Sequence, residues 1–222
     1  MFVGLLAVTS IGLGLKLLGS LGAGTTDIAE LLAKTGVGEV TLTEALWELE
    51  SNGFIGFDGR TVAATGLTRP LLAAHLLRSG VSLQELSRML SWKEFEELTT
   101  EALTACGYQA IRTFRMRKPT REIDVIGVHS GFAIAFDCKH WERMSESALE
   151  AAAARQVERC RQYLSTLAAR VSDVSEVMPA ILVLFEPSFS SVDGIAVVPV
   201  DKAFSFILSA RGLAKTLVTV RR

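Results

Sequence analysis

Glu122, Asp124, Asp137 and Lys139 flank a Ser130-Gly131 pair suited to a tight turn. A hairpin symmetric about that turn sets Asp124 opposite Asp137 and Glu122 opposite Lys139. Directly opposed residues on one face have Cβ atoms roughly 4.5–5.5 Å apart. Strand alternation puts all four side chains on one surface, where three carboxylates and one ammonium converge. The rest of that surface is Ile126, Val128, Ala133 and Ala135, which are small or apolar. The other face, with Ile123, Val125, Phe132, Ile134, Phe136 and Cys138, is expected to be the core side. Opposed carboxylates repel, and a hard divalent cation such as Mg²⁺ removes the conflict by taking carboxylate and water oxygens. Such a set performs metal-assisted in-line hydrolysis of a phosphodiester. The competing reading is a salt-bridge ladder in which Lys139 neutralises the acids.

Three further features bear on that chemistry. Arg112, Arg115, Arg117, Lys118 and Arg121 place five positive charges in ten residues with no acid, directly before the acidic strand. They read as a phosphate-binding loop for nucleic acid, or as a solvated turn. Gln156 falls on the inward side of a long helix with Leu149, Ala152, Cys160 and Tyr163, either touching the site or acting as a satisfied core amide. His140 points to the core side, and Trp141 to the acidic face.

The segments Glu122-Ile123-Asp124-Val125-Ile126-Gly127 and Asp137-Cys138-Lys139, with their acids thirteen residues apart, resemble the motif of PD-(D/E)xK nucleases. Trp92-x-x-Phe95-Glu96, followed by Ala105-Cys106-Gly107-Tyr108, resembles the opening helix of Mrr-type restriction endonucleases and archaeal junction resolvases. The resemblance covers residues 91–165. It departs from the usual pattern at Ile123, where Pro is common, and at Asp137, where Glu is more frequent. It implies a metal-dependent endonuclease that hydrolyses DNA phosphodiester bonds, in a restriction or repair role. Asp124, Asp137, the Cys138 backbone carbonyl and Glu96 would hold Mg²⁺ or Mn²⁺. Lys139 would orient the attacking water or stabilise charge on the phosphate, and a similarly placed Gln touches the site in some relatives, as Gln156 would here. The alternative is a catalytically silent nuclease fold that binds nucleic acid or partners.

The elements that position these residues follow from periodicity. Ser91-x-x-Glu94 is a capping box opening a helix whose inward stripe is Trp92, Phe95, Thr99, Ala102, Leu103 and Cys106. Strands are expected at 108–116, 123–128, 132–140, 178–185 and 195–200, with a long helix at 144–170 and a short one at 201–210. The expected fold is an α/β, restriction-endonuclease-like three-layer sandwich with a mixed central sheet. Before it, helices at 27–34 and 42–49 precede a hairpin about Asp58-Gly59, the pattern of a small winged helix-turn-helix-like domain. Thr41-x-x-Glu44 and Ser82-x-x-Glu85 are further capping-box patterns. The expected division is a winged-helix-like domain at 1–68, a helical linker at 69–90 and a nuclease domain at 91–222.

Composition bounds these readings. The chain has 222 residues, 49% hydrophobic and 21% charged, with net charge −1, so any anion site must be a local patch. Residues 1–80 hold five Lys/Arg against seven Asp/Glu, and Glu44, Glu48 and Glu50 lie on the helix that would have to enter a DNA groove. Dimerisation is as good a role for that domain as DNA reading, and a homodimer is a candidate assembly. Three cysteines without C-x-x-C spacing point to a reducing, cytoplasmic setting. Residues 1–22 are apolar with the single charge Lys16, but Thr9, Ser10, Ser20 and several glycines interrupt them, so a buried helix is expected rather than a membrane anchor.

Overall fold

The computed structural model describes residues 10–81, 85–86, 89–139, 145–184 and 188–222, with the backbone alone at residue 78. The chain divides into two compact units, Met1–Glu94 and Phe95–Arg222.

The first unit runs α1 (Ile11–Ser20), β1 (Gly24–Asp27), α2 (Ile28–Thr35), α3 (Glu39–Ser51), β2 (Gly56–Phe57), β3 (Thr61–Ala64) and α4 (Thr68–Arg78). Its strands pair in the order β1-β3-β2. The Asp27 side chain caps α2 by accepting the Ala29 amide at 2.8 Å, and Gly36 closes it with φ 61°, the left-handed conformation that suits glycine. The expected Thr41-x-x-Glu44 box does not open a helix. Helix α3 starts three residues earlier, after Gly38, and both residues lie inside it. The box at Ser82 lies outside the described residues. Leu13, Leu17 and Leu18 of α1 are buried with Leu31, Leu42, Leu46, Leu49, Leu72 and Leu76, so α1 is a core helix. Leu72, Leu76, Val81, Leu86 and Leu90 fall in the stretch read as a linker, and they belong to this same core. No helix among the described residues is long and apolar enough to cross a membrane.

A largely buried guanidinium ties this unit together. Arg69 of α4 pairs with Glu94 and donates to the carbonyls of Leu18, Leu21 and Met89. Glu94 in turn accepts the Ser91 amide at 2.6 Å while Ser91 Oγ accepts the Glu94 amide at 3.4 Å, which is the expected capping box.

The second unit contains α5 (Trp92–Ala105, its first turn in the first unit), β4 (Gln109–Met116), β5 (Arg121–His129), β6 (Phe132–Lys139), α6 (Glu146–Ser165), α7 (Leu167–Val171), β7 (Glu176–Val183), β8 (Ser191–Val192), β9 (Ile195–Pro199), α8 (Ala203–Leu213) and β10 (Val220–Arg221). The sheet runs β4-β5-β6-β7-β9-β8, with β10 added beside β7. Strands β4, β5 and β6 pair antiparallel, while β6-β7 and β7-β9 pair parallel. The short strands β8 and β10 lack a clear sequence signal. The long helix breaks at Thr166, whose hydroxyl accepts the Ala169 amide and starts α7.

Helices cover both faces of the sheet. Phe95 and Leu103 of α5 and Phe206, Ile207 and Ala210 of α8 pack with Val125, Phe132, Ile134, Phe136 and Cys138. On the other face Cys160 and Tyr163 of α6 pack with Ile123, Ile126, Val128, Ala133 and Ala135. Leu149, Ala152 and Ala153 cover Ile181 and Val183 beside them. This is the expected three-layer arrangement with a mixed central sheet. Trp92, expected on the inward stripe of α5, is 47% exposed.

Arg69→Ala is expected to destabilise the full chain by on the order of 3 kcal/mol, because it leaves a buried carboxylate and several carbonyls without a donor. Urea titration measures it; a midpoint equal to that of the native chain would show that the Arg69 network contributes nothing.

Candidate active site

The β5–β6 ladder pairs Val125 with Phe136, Ile126 with Ala135, Gly127 with Ile134, Val128 with Ala133 and His129 with Phe132. That is the register symmetric about Ser130-Gly131. The ladder ends at Val125–Phe136, and Asp124 and Asp137 stand one residue beyond it. Here the strands open. Instead of a strand partner, the Cys138 amide donates to Asp124 Oδ2 at 2.8 Å.

Asp124 also marks a break in strand alternation. Ile123 packs under α6 whereas Val125 packs under α5, although both were expected on one face. The neighbouring strand supplies the reason. Arg112 pairs with Val125 and Phe114 with Ile123, but Thr113 between them has φ 58° and no ladder partner. A left-handed, non-glycine residue turns the strand locally, so side chains on either side of it change face. Glu122 is affected as well. The β5–β6 ladder does not reach it; it lies opposite Arg115 on β4 and accepts from its Nε at 2.7 Å. The face carrying the acids is not open either, since α6 packs over Ala133 and Ala135.

Both acids are buried, Asp124 at 6% and Asp137 at 1% exposure. Asp137 is fully engaged: Lys139 Nζ lies 2.9 Å from Oδ2 and 3.0 Å from Oδ1, and Arg159 Nη1 of α6 lies 2.7 Å from Oδ1. Burial, and then the charge of Asp137, push the Asp124 carboxyl up from 3.8 to about 6; the Cys138 amide, Lys139 and Arg159 offset only part of this. Burial also pushes the Cys138 thiol up, helped by the charges of Asp124, Glu96 and Asp137 and opposed by the Thr99 hydroxyl. Glu96 is itself buried on α5 at 6% exposure and close enough to act on that thiol.

Gln156 is fully buried and does both things considered for it. Its Nε2 donates to the Ala135 carbonyl at 2.9 Å, and its Oε1 accepts Arg159 Nη1 at 3.1 Å. Gln156 thus fastens α6 to β6 and aims Arg159 at Asp137. Arg159 went unnoticed in the sequence; its signal was its place three residues after an inward glutamine, on the same helical face. His140 and Trp141 lie outside the described residues.

The basic run is divided. Arg112 pairs with Glu97 of α5, Arg115 with Glu122, and Arg121 with Glu158 of α6. Arg117 and Lys118 are exposed in the β4–β5 turn, whose Pro119 carbonyl accepts Gln162 Nε2 at 2.7 Å. A cavity of about 700 Å³ lies elsewhere, between β8–β9 and α8, and none of the acids lines it.

Two opposed, buried carboxylates, one with a raised pKa, suit a hard cation, which needs one or two carboxylates and water. Among the described residues no group of three or more His, Cys, Asp or Glu side chains is gathered closely enough to hold a metal. Glu96 is therefore not at ligand distance together with both aspartates.

The fold and the family match are consistent with a restriction-endonuclease-type α/β domain. The family described as Restriction endonuclease, the Mrr catalytic domain, matches residues 87–171, and the resemblance to the Mrr-type nuclease superfamily holds over that segment. It contains Glu96, Asp124, Asp137, Lys139, Gln156 and Arg159. No curated protein matches the chain. Among solved structures, protein VC1899 from Vibrio cholerae is similar at 12% identity over 94% of this chain and 52% of its own, with a TM-score of 0.39. The chain thus spans about half the length of that protein.

In EDTA, Asp124→Asn is expected to be more stable than the native chain above pH 6, by up to about 3 kcal/mol. Between pH 4 and 6 the unfolded aspartate ionises while the folded one keeps its proton, so native stability falls as pH rises through this window, and below it the advantage vanishes. Thermal melts of both proteins from pH 4 to pH 8 measure this; a pH-independent difference would contradict the raised Asp124 pKa.

Proposed function

We propose that residues 91–222 form a metal-dependent endonuclease domain that hydrolyses DNA phosphodiester bonds. The observation that carries this reading is the burial of Asp124 beside Asp137 and Lys139 at the open end of the β5–β6 hairpin, inside the segment matched by the restriction-endonuclease family. Asp124, Asp137 and the Cys138 carbonyl are the proposed ligands of Mg²⁺ or Mn²⁺, with Glu96 supporting them from α5. The cation would supply Lewis-acid polarisation of the scissile phosphate. Lys139 Nζ, held on the Asp137 carboxylate, would donate to the attacking water or to a non-bridging phosphate oxygen. Gln156 holds Arg159 and, through it, the Asp137 carboxylate in position. The partial enclosure of the site by α6 limits water access and strengthens each of these interactions.

A second reading has its own support. Asp137 already has two cationic partners, and no cluster of three ligands is gathered among the described residues, which suits a silent nuclease fold that binds DNA or a protein partner. Residues 1–68 are proposed as a winged-helix-like module. Its helix-strand-helix-helix-strand-strand order supports that, and Glu44, Glu48 and Glu50 on α3 favour a protein contact over a DNA groove.

Plasmid, methylated plasmid and synthetic four-way junctions incubated with Mg²⁺, Mn²⁺ or EDTA test the choice. Cleavage is expected with metal only. Asp124→Asn, Asp137→Asn and Lys139→Ala should each lower the rate by at least about 10²-fold, the scale set by removing a charge-stabilising group. Calorimetric Mn²⁺ titration should show uptake by Lys139→Ala and none by either Asn variant. Absence of both metal uptake and cleavage in the native protein would leave the silent fold.

A further inference from the structure

A second cleft opens between the start of β5 and α6, and one of its lining residues, Arg159, is the partner of Asp137. It has a volume of about 470 Å³ and is lined by Thr120, Arg121 and Glu122 at the start of β5 and by Arg155, Glu158 and Arg159 on α6. Its two acids are already taken. Glu122 accepts Arg115, and Glu158 is bound by Arg161 and Arg121. Counting these partners, five arginines surround two glutamates at this cleft.

Arg155 is the telling residue. It is exposed, and among the described residues it has no hydrogen-bonding or ion-pair partner. Glu158, three positions along α6 and able to neutralise it, is occupied elsewhere. Arg159, four positions along, is a like charge on the same helical face, and such pairs destabilise a helix unless an anion lies between them. Arg159 spends Nη1 on Asp137 and Gln156. A guanidinium has five donors, so others remain for a ligand. Planar guanidinium forks match the paired oxygens of a phosphate.

We infer that this cleft is a phosphate-binding subsite for the backbone of a nucleic acid, with Arg155 and Arg159 as its donors. Arg159 joins it to Asp137 through the ion pair at 2.7 Å, so a strand seated there would lie toward the acids. The inference rests on the nuclease reading for its ligand and goes beyond it in locating where the strand is held. It also revises the sequence expectation, moving the phosphate contact from the β4–β5 loop to the face of α6.

Binding of a short fluorescein-labelled DNA duplex, followed by anisotropy in EDTA over a series of NaCl concentrations, tests it. Arg155→Gln should weaken binding about fivefold and lower the slope of log affinity against log salt by about one, since one fewer counterion is released. Arg155→Lys should restore the slope. Lys215→Gln, an equal change in net charge at an exposed residue outside the cleft, should leave affinity and slope as they are. Native-like binding and slope in Arg155→Gln, or an equal loss in Lys215→Gln, would overturn the subsite while leaving the nuclease reading intact. A native protein that binds no DNA at low salt would overturn both.

Discussion

Two carboxylates of like charge are buried one residue past the last rung of the β5–β6 ladder, and burial raises the free energy of each charged form. Their environments divide them. Asp137 receives a lysine and an arginine, whereas Asp124 receives a single backbone amide and feels Asp137 as a repulsive neighbour. The outcome is one fully neutralised acid beside one whose carboxyl titrates at about 6. Uncompensated burial of this kind costs stability, and it supports the proposal that the site takes a cation.

The rest of the second unit holds that arrangement in place. Regular β-structure would have paired Asp124 with a strand residue and Asp137 with another, and both side chains would have stayed on fixed, alternate faces. The left-handed Thr113 and the unpaired Asp124 interrupt β4–β5, so the hairpin opens where the acids stand. Parallel pairing of β6 with β7 continues through Asp137, Cys138 and Lys139, which keeps this end of the strand straight while its antiparallel side is released. Gln156 fastens α6 to the Ala135 carbonyl two residues before Asp137. On the other face, Gly127 lets Leu103 of α5 approach closely, since a Cβ there would lie 2.7 Å from a Leu103 methyl. That close approach sets the position of α5, the helix that carries Glu96.

The features legible in the sequence are those governed by local rules. The Ser130-Gly131 turn determined the hairpin register over five pairs, and the Ser91/Glu94 capping box appeared with both of its bonds. The inward positions Leu149, Ala152, Gln156, Cys160 and Tyr163 followed from helical periodicity. Two kinds of feature were not legible. The change of face at Asp124 depends on the conformation of Thr113 in the neighbouring strand, and strict alternation therefore misplaced Ile123. The second cation at Asp137 comes from α6, twenty-two residues away along the chain, and nothing in the spacing of acids and lysine required it. Thr41 and Glu44 show the limit of capping patterns: Gly38 starts α3 first, and the Glu44 amide that Thr41 would cap then lies within the helix.

Net charge was the least informative number. A value of −1 conceals which charges are paired with neighbours and how the unpaired ones are placed. Of the five cations before Glu122, Arg112, Arg115 and Arg121 meet acids on α5, β5 and α6, so a run that looks like a continuous positive loop is largely neutralised once folded. These pairs have the opposite effect on the helix facing them. By occupying Glu122 and Glu158, Arg115 and Arg121 leave Arg155 without a counterion among the described residues. A block of charge in sequence is thus exchanged, through cross-element pairing, for a smaller block in space. Only the spatial block can bind an anion, because charges already paired release few counterions when a phosphate arrives.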